Sequence, residues 1–148
     1  MPEYKSILVP TDLSDRSLAG VRCAIDLAER LGSELILTHV VDDRLSALIF
    51  AAASESPEAL LERHRQHAEK SLASLVEKHF PNRQPETAVL VGKPHARIVE
   101  LAAERRVDLI VVGTHGHGFV GHVLMGSTAE RILHHAPCPV LVVRSDES

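Results

Sequence analysis

Five short stretches of the chain are apolar without a break, and this pattern constrains the fold more than any other feature of the sequence. A strand with one face in water alternates apolar and polar residues, whereas a strand covered on both faces is apolar throughout. Continuous apolar runs bounded by turn residues therefore indicate a parallel sheet with helices on both faces. The predicted strands are Ser6–Pro10, Glu34–Val41, Thr87–Val91, Leu109–Val112 and Val140–Val143.

The segments between these strands are long enough for the crossover helices that parallel strands require. Apolar residues recur there at helical spacing, and Gly32 and Pro81 are expected to end the first two helices. The first predicted helix is Leu18–Leu31, and the second runs from Pro57 to about His79 with a buried stripe of Leu61, Ala68, Leu72 and Leu75. The third runs from Pro94 through Ile98, Leu101 and Ala102. The fourth is Thr128–His135, with Ser127 as its cap. This order predicts an α/β fold with an open, doubly wound five-stranded parallel sheet.

Length and composition agree with this fold and exclude several functional classes. The chain has 148 residues, of which 45% are hydrophobic and 24% charged, so we expect a single domain over residues 1–148. A formal net charge of -4 argues against nucleic acid as a partner, because no positive field attracts a polyanion. One Tyr, three Phe and no Trp leave almost nothing on which bases could stack.

Neither a membrane segment nor a disulfide is expected. The longest apolar stretch, Leu45–Ala53, falls far short of the roughly 20 residues that cross a bilayer. Cys23 and Cys138 lack the spacing of a metal or redox pair, so we interpret both as small hydrophobic residues. We therefore expect a soluble, cytoplasmic protein. The long connection 42–56 is either a short extra helix packed on the domain or a lid or partner surface.

A glycine-rich loop follows the fourth predicted strand. Five of the eight glycines of the chain lie between Gly113 and Gly126, which lets main-chain N–H groups approach an anion closely. The next residues, Ser127 and Thr128, open the last helix, whose N-terminus favours negative charge. The pattern indicates a phosphate-binding loop; a flexible turn that uses glycine for tight bends is the alternative.

Two familiar nucleotide motifs inside this loop are incomplete. Gly116, Gly118 and Gly121 spell GxGxxG, but this triplet does not open a strand-helix-strand unit with an acidic residue about 20 positions on, as a dinucleotide site requires. The stretch from Gly121 to Thr128 spells a P-loop in which Ser127 replaces the required lysine. The sequence therefore disfavours both a dinucleotide-binding enzyme and a Walker-type NTPase.

The glycine spacing resembles that of a known family. Gly113, Gly116, Gly126 and Ser127 follow the spacing G-x2-G-x9-G-[S/T] that marks the ATP-binding branch of the universal stress protein family. Pro10-Thr11-Asp12 resembles the family's other characteristic loop, and the likeness extends over essentially the whole chain. The resemblance implies strand order 3-2-1-4-5, an adenine nucleotide held between the two loops, and a homodimer paired through the last strand.

The same resemblance implies roles for individual residues. Asp12 resembles the carboxylate that recognises the adenosine end of the nucleotide, and Val40 the residue whose main chain contacts adenine. The alternatives are that Asp12 caps the first helix and that Val40 is a core residue at a strand end. The implied ligand is ATP, ADP or AMP, with Mg²⁺ or Mn²⁺ held by the phosphates. The other implied site residues are Pro10, Thr11, Gly113, Gly116, Gly126, Ser127 and Thr128, and we add His115 as a candidate donor to a phosphate.

The sequence shows no catalytic apparatus. There are ten histidines, but no pair has the spacing of a zinc site, so surface or cap roles are predicted for most of them. Only His115 and His117 are candidates for contacts near a phosphate. No nucleophile motif is present. We therefore expect neither a catalytic residue nor a metal site built from protein side chains.

Three functions remain open at this point. The first is a nucleotide-binding module in stress response or signalling that acts as a homodimer. The second is a slow ATPase or nucleotide hydrolase that uses the same site, and the third is a dimeric scaffold whose nucleotide is structural. In each case we expect the phosphates to bind main-chain N–H groups, a helix N-terminus and hydroxyls, with the metal ion mattering more than any lysine.

Overall fold

Helices cover both faces of a parallel sheet in this protein. A computed structural model describes residues 3–44, 55–114 and 125–145. The strands lie in the order β3-β2-β1-β4-β5, and neighbouring strands are parallel. The predicted fold class and strand order are thereby confirmed. The strands are β1 (Ser6–Pro10), β2 (Glu34–Asp42), β3 (Glu86–Gly92), β4 (Leu109–Gly113) and β5 (Val140–Val143).

Four α-helices are found in the described part of the chain, close to the predicted positions. A 3-10 turn, Asp15–Ser17, precedes the first of them. Gly32 ends this helix in the left-handed conformation, with φ of 69°, as a glycine cap does. The helices are α1 (Leu18–Leu31), α2 (Pro57–His79), α3 (Pro94–Glu104) and α4 (Ser127–His135). Of the connection 42–56, residues 45–54 lie outside the described residues, so neither interpretation of it is tested.

The core consists of two apolar layers, one on each face of the sheet. Successive side chains of a strand point to opposite faces. Ile7 and Val9 of β1 therefore pack against α1 and α2, while Leu8 packs against α3 and α4, and all three are 0% exposed. The expected cover on both faces thus holds for the central strands. The edge strands differ, because Ala88 to Gly92 of β3 and most of β5 are only half-buried.

The predicted stripe of α2 is confirmed at Ala68 and Leu72 and is wrong by one residue at each end. Leu60 and Val76 are buried, whereas Leu61 and Leu75 are half-buried. The helix is fixed at its start by Ser56, whose Oγ accepts a hydrogen bond from the N–H of Ala59 at 3.2 Å. Adjacent leucines fit a helical stripe almost equally well, so packing on the sheet rather than periodicity decides which of them is buried.

Two smaller expectations can be compared with the structure. The thiols of Cys23 and Cys138 are free and half-buried, and burial raises the pKa of both. This agrees with their interpretation as small hydrophobic residues. Among the described helices, none is both long and apolar enough to cross a membrane.

Gly20 allows α1 to pack against the end of β4. A Cβ atom at this position would lie 3.2 Å from the main-chain nitrogen of Gly113. We expect Gly20→Val to push the helix away from the strand and to lower the free energy of unfolding by about 1–3 kcal/mol, measured by urea denaturation. The control Ala73→Val, at an exposed position of α2, should cost no more than about 0.7 kcal/mol. Equal losses in the two variants would contradict this role of Gly20.

Candidate functional site

A cleft opens at the carboxyl ends of β1, β2 and β4. Its volume is about 890 Å³, within the range of roughly 300–1,000 Å³ that is usual for small-molecule sites. The cleft lies where the chain order of the strands reverses, with β2 on one side of β1 and β4 on the other. Parallel α/β sheets bind their ligands at this switch point.

Described residues at the ends of the two loops singled out in the sequence lie together in this cleft. Within the described residues, every predicted site residue lines it. The residues concerned are Pro10, Thr11, Asp12, Val40, Gly113, Gly126, Ser127 and Thr128. Two others, His115 and Gly116, lie outside the described residues, as do His117 and the rest of the glycine loop from 118 to 124.

Thr11 fixes the loop that follows β1. Its N–H donates to the carbonyl of Thr38 at 2.8 Å, which extends the β1–β2 ladder by one bond. Its Oγ1 accepts from the N–H of Leu13 at 3.0 Å and lies 2.7 Å from Oγ of Ser17. These bonds hold Leu13 at φ 69°, a conformation that costs a residue with a Cβ atom of order 1–3 kcal/mol. Strain of this kind is characteristic of ligand-binding loops.

Asp12 is held by the same loop and is half-buried. Its Oδ1 accepts from the N–H of Ser14 at 2.9 Å and from the hydroxyl of the same residue. The alternative role as a cap of the first helix is wrong, because α1 begins at Leu18 with Ser17 in the cap position. The carboxylate instead stabilises the turn before the helix and lines the cleft.

Val40 is a core residue near a strand end, and it also lines the cleft. Its side chain is 7% exposed and belongs to the core layer under α3 and α4. Its main chain faces the cleft because of its position along β2. The carbonyl of Thr38 points to the β1 side of the strand, where it accepts from the N–H of Thr11, and residues two apart in a strand direct their N–H and C=O groups to the same side. The main-chain groups of Val40 therefore also point to the β1 side, at a level where β1 has already ended at Pro10.

The last helix begins one residue earlier than expected. Gly126 occupies the cap position and Ser127 is the first helical residue, so the predicted cap role of Ser127 is wrong. The N–H of Gly126 donates to the carbonyl of Thr114 at 2.7 Å, and the N–H of Thr114 donates to the carbonyl of Val143 at 2.9 Å. Both ends of the glycine loop are thereby fastened to the sheet, and the hydroxyls of Ser127 and Thr128 lie at the cleft.

Thr114 carries a polar atom that has no hydrogen-bond partner among the described residues. The residue is 5% exposed and lines the cleft, and within residues 3–44, 55–114 and 125–145 its Oγ1 makes no hydrogen bond. A buried hydroxyl without a partner costs about 1–3 kcal/mol. An atom of this kind at the wall of a cleft fits a site that is completed by a hydrogen-bonding ligand or water.

His39 is a cleft residue that the sequence analysis missed. Its Nδ1 lies 2.8 Å from the main-chain oxygen of Thr11. A carbonyl oxygen only accepts, so the hydrogen bond places the ring proton on Nδ1 and makes Nε2 of the neutral ring an acceptor. The only sequence signal was a polar residue near the end of a buried strand.

One face of α2 also lines the cleft, and it too was not predicted. The sequence predicts surface or cap roles for most histidines, but His64 and His67 line the cleft. Their spacing continues as i, i+3, i+7, i+10 and i+14, so the members of the set share one helix face. The set is His64, His67, Ser71, Ser74 and Lys78. The spacing of these polar residues was visible in the sequence, but the sequence does not show which helix borders the switch point of the sheet.

The chemical groups that line the cleft are those of a binding pocket. In the part of the chain that the structure describes, no group of His, Cys, Asp or Glu side chains is arranged to hold a metal ion. The described lining of the cleft offers carboxylates, main-chain groups at strand and helix ends, hydroxyls, imidazole rings and the ammonium group of Lys78. These groups recognise a ligand that carries both hydrogen-bond donors and an anionic part.

Comparison with known proteins identifies the family. Residues 3–144 match the universal stress protein family. The chain belongs to this family. Universal stress protein MJ0531 of Methanocaldococcus jannaschii is 38% identical over 95% of this chain and 82% of its own length.

Solved structures of universal stress proteins share the fold. UspA of Lactobacillus plantarum superposes with a TM-score of 0.78 at 30% identity, covering 95% of this chain and 98% of that protein. A universal stress protein crystallised in complex with cAMP superposes with a TM-score of 0.62 at 27% identity, covering 97% and 98% of the two chains. Members of this family with the same architecture thus include one that binds an adenine nucleotide.

Proposed function

We propose that this universal stress protein binds an adenine nucleotide in the cleft and belongs to the ATP-binding branch of its family. The observation that carries the proposal is that the Asp12 loop and the described ends of the glycine loop line the same cleft. The Asp12 loop and the start of α4 come from distant parts of the chain and line one cleft of suitable volume. The likeness to a family member in complex with cAMP supports the choice of ligand.

The cleft offers complementary groups to both ends of such a nucleotide. Adenine N6 and the ribose hydroxyls are donors, which suit the carboxylate of Asp12 and the main chain of Val40. The phosphates suit the N-terminus of α4, where Ser127 and Thr128 add hydroxyl donors to unpaired main-chain N–H groups. In this arrangement Pro10, Thr11 and Gly113 border the ligand. Mg²⁺ or Mn²⁺ would be carried by the phosphates themselves.

The hydroxyl of Thr114, which has no hydrogen-bond partner among the described residues, supports a polar ligand rather than an apolar one. The atom is buried beside the site, and pairing it with a bound oxygen or water would remove its desolvation cost. A purely apolar ligand would leave that cost in place. A polar atom of Thr114, and not only the shape of the cleft, therefore favours a hydrogen-bonding ligand.

The function that follows is that of a signalling or stress-response module in which nucleotide occupancy favours one conformation or partner state. A ligand shifts such an equilibrium only by its difference in affinity for the two states. We place the module in the cytoplasm, in keeping with its two free thiols.

Gly126→Val tests the proposed phosphate position. Gly126 has φ -70° and ψ 159°, which a β-branched residue can adopt, so we expect the fold to survive while the new side chain blocks phosphate approach. Calorimetric titration should show ATP binding to the unmodified protein and at least about tenfold weaker binding to the variant. The control Ala103→Val, at an exposed position of α3, should bind as the unmodified protein does. Equal ATP affinity in Gly126→Val would contradict the proposed site.

We also propose that the protein is a homodimer paired through β5. This strand forms one edge of the sheet, and an edge strand presents main-chain groups that a second copy can pair. Leu141 of β5 is 38% exposed, and Leu133 of the neighbouring α4 is 44% exposed. A second copy of the chain would cover both side chains.

Leu141→Lys should separate the two copies, because it places a charge in the proposed interface. We expect light scattering after size exclusion to give the mass of a dimer for the unmodified protein and of a monomer for this variant. Leu31→Lys is the matched control, since Leu31 is 50% exposed at the far end of α1, and it should remain dimeric. A monomeric unmodified protein, or a dimeric Leu141→Lys, would refute pairing through β5.

A further inference from the structure

Basic side chains gather where α3 begins, against one face of α4, and three of them, Arg44, Lys93 and Arg131, carry a positive charge. The rings of His95 and His135 lie 6.5 Å apart. Burial and then the charges of Arg131, His135, Lys93 and Arg44 lower the pKa of His95, as expected for basic groups that lie near its ring. We name this cluster the cationic rim. Its members are Arg44, Lys93, His95, Arg131 and His135.

The rim adjoins the cleft through chain neighbours of its members, whereas none of the five members is itself among the residues that line the cleft. Pro94, which lies between Lys93 and His95, lines the cleft, and so does Ile132, the neighbour of Arg131. On α4, Thr128, Arg131 and His135 are spaced i, i+3 and i+7, so they share one face of the helix. Thr128 is at the cleft, and Arg131 follows it by about 4.5 Å along the helix axis.

Much of the positive charge of the rim is not neutralised by neighbouring carboxylates. Arg44 pairs with Asp42, with Nε 3.5 Å from Oδ1. Glu100 of α3 is engaged by Arg97 at 2.9 Å, and Glu130 of α4 lies 4.0 Å from His134. Lys93 and Arg131, by contrast, form no ion pair within the described residues. A local excess of positive charge therefore stands beside the cleft of a protein whose net charge is -4.

We infer that the cationic rim binds the outer phosphates of a nucleoside polyphosphate, so that the cleft discriminates a triphosphate from a monophosphate. The inference rests on the proposed function, since it takes the first phosphate to lie at the start of α4. A monophosphate ends there, whereas a triphosphate carries two further anionic groups that extend toward Arg131 and Lys93. Guanidinium and ammonium groups are the usual partners of phosphate oxygens. The expectation that lysine matters little at this site would then be wrong.

Titrations with ATP and AMP test the inference in excess EDTA, where no metal shares the phosphate charge. We expect the unmodified protein to bind ATP more tightly than AMP. Arg131→Gln and Lys93→Gln should each weaken ATP binding about three- to tenfold, the scale of one exposed charge contact, and leave AMP binding within about twofold. The preference for ATP should also shrink as salt is added. Lys70→Gln, at an exposed position of α2 away from the cleft, is the matched control and should change neither affinity.

The outcomes separate this inference from the proposed function. If AMP and ATP bind but the ratio of their affinities is the same in Arg131→Gln, Lys93→Gln and the unmodified protein, the rim is overturned and the nucleotide site stands. If neither nucleotide binds, the proposed function fails, and the binding of inorganic tripolyphosphate then tests whether the rim is an anion site. Tighter binding of tripolyphosphate to the unmodified protein than to the two variants would retain the rim as an anion site. Equal or absent binding would overturn it.

Discussion

The early end of β1 is the constraint on which the rest of the site depends. Pro10 has no N–H to donate, and the last bond to β2 is the one from Thr11 to Thr38 at 2.8 Å. On the other side, β1 pairs with β4 only from Ile7 to Leu8. Because β2 and β4 continue beyond this point, they form the walls of a cleft above β1. The residues that directly follow β1 and β4, Thr11 and Thr114, line the same space, and a longer central strand would close it.

The fold could be predicted because its signals are local and repeated. Ile7, Leu8 and Val9 are 0% exposed on both faces of the sheet, as an unbroken apolar run indicates. Gly32 ended α1 where its freedom at positive φ was needed. The rotation of α2 could not be predicted, because Leu60 and Leu61 are equally apolar and only contact with the sheet chooses between them. The start of α4 was displaced by one residue for a similar reason, since Gly126, Ser127 and Thr128 can each precede a helix.

The candidate site was predictable where one short motif carries its chemistry and unpredictable where distant elements supply it. Asp12 and Gly126 belong to loops that are recognisable from a few residues. His39 is significant only through its bond to Thr11 at 2.8 Å, which no spacing in the sequence reveals. The cationic rim combines α3, α4 and the end of β2, and a net charge of -4 averages over this local excess. A charge count excludes a broad basic surface, but it does not describe a cluster of five side chains.

The central claim is that the cleft holds an adenine nucleotide, and analysis of the ligand carried by the purified protein tests it most directly. Protein prepared without added nucleotide is denatured, the released small molecules are identified by mass spectrometry, and the melting temperature is measured with and without ATP. The account predicts that an adenine nucleotide is released, or that a ligand-free preparation gains heat stability when ATP is added. Release of no adenine nucleotide together with an unchanged melting temperature would contradict the account.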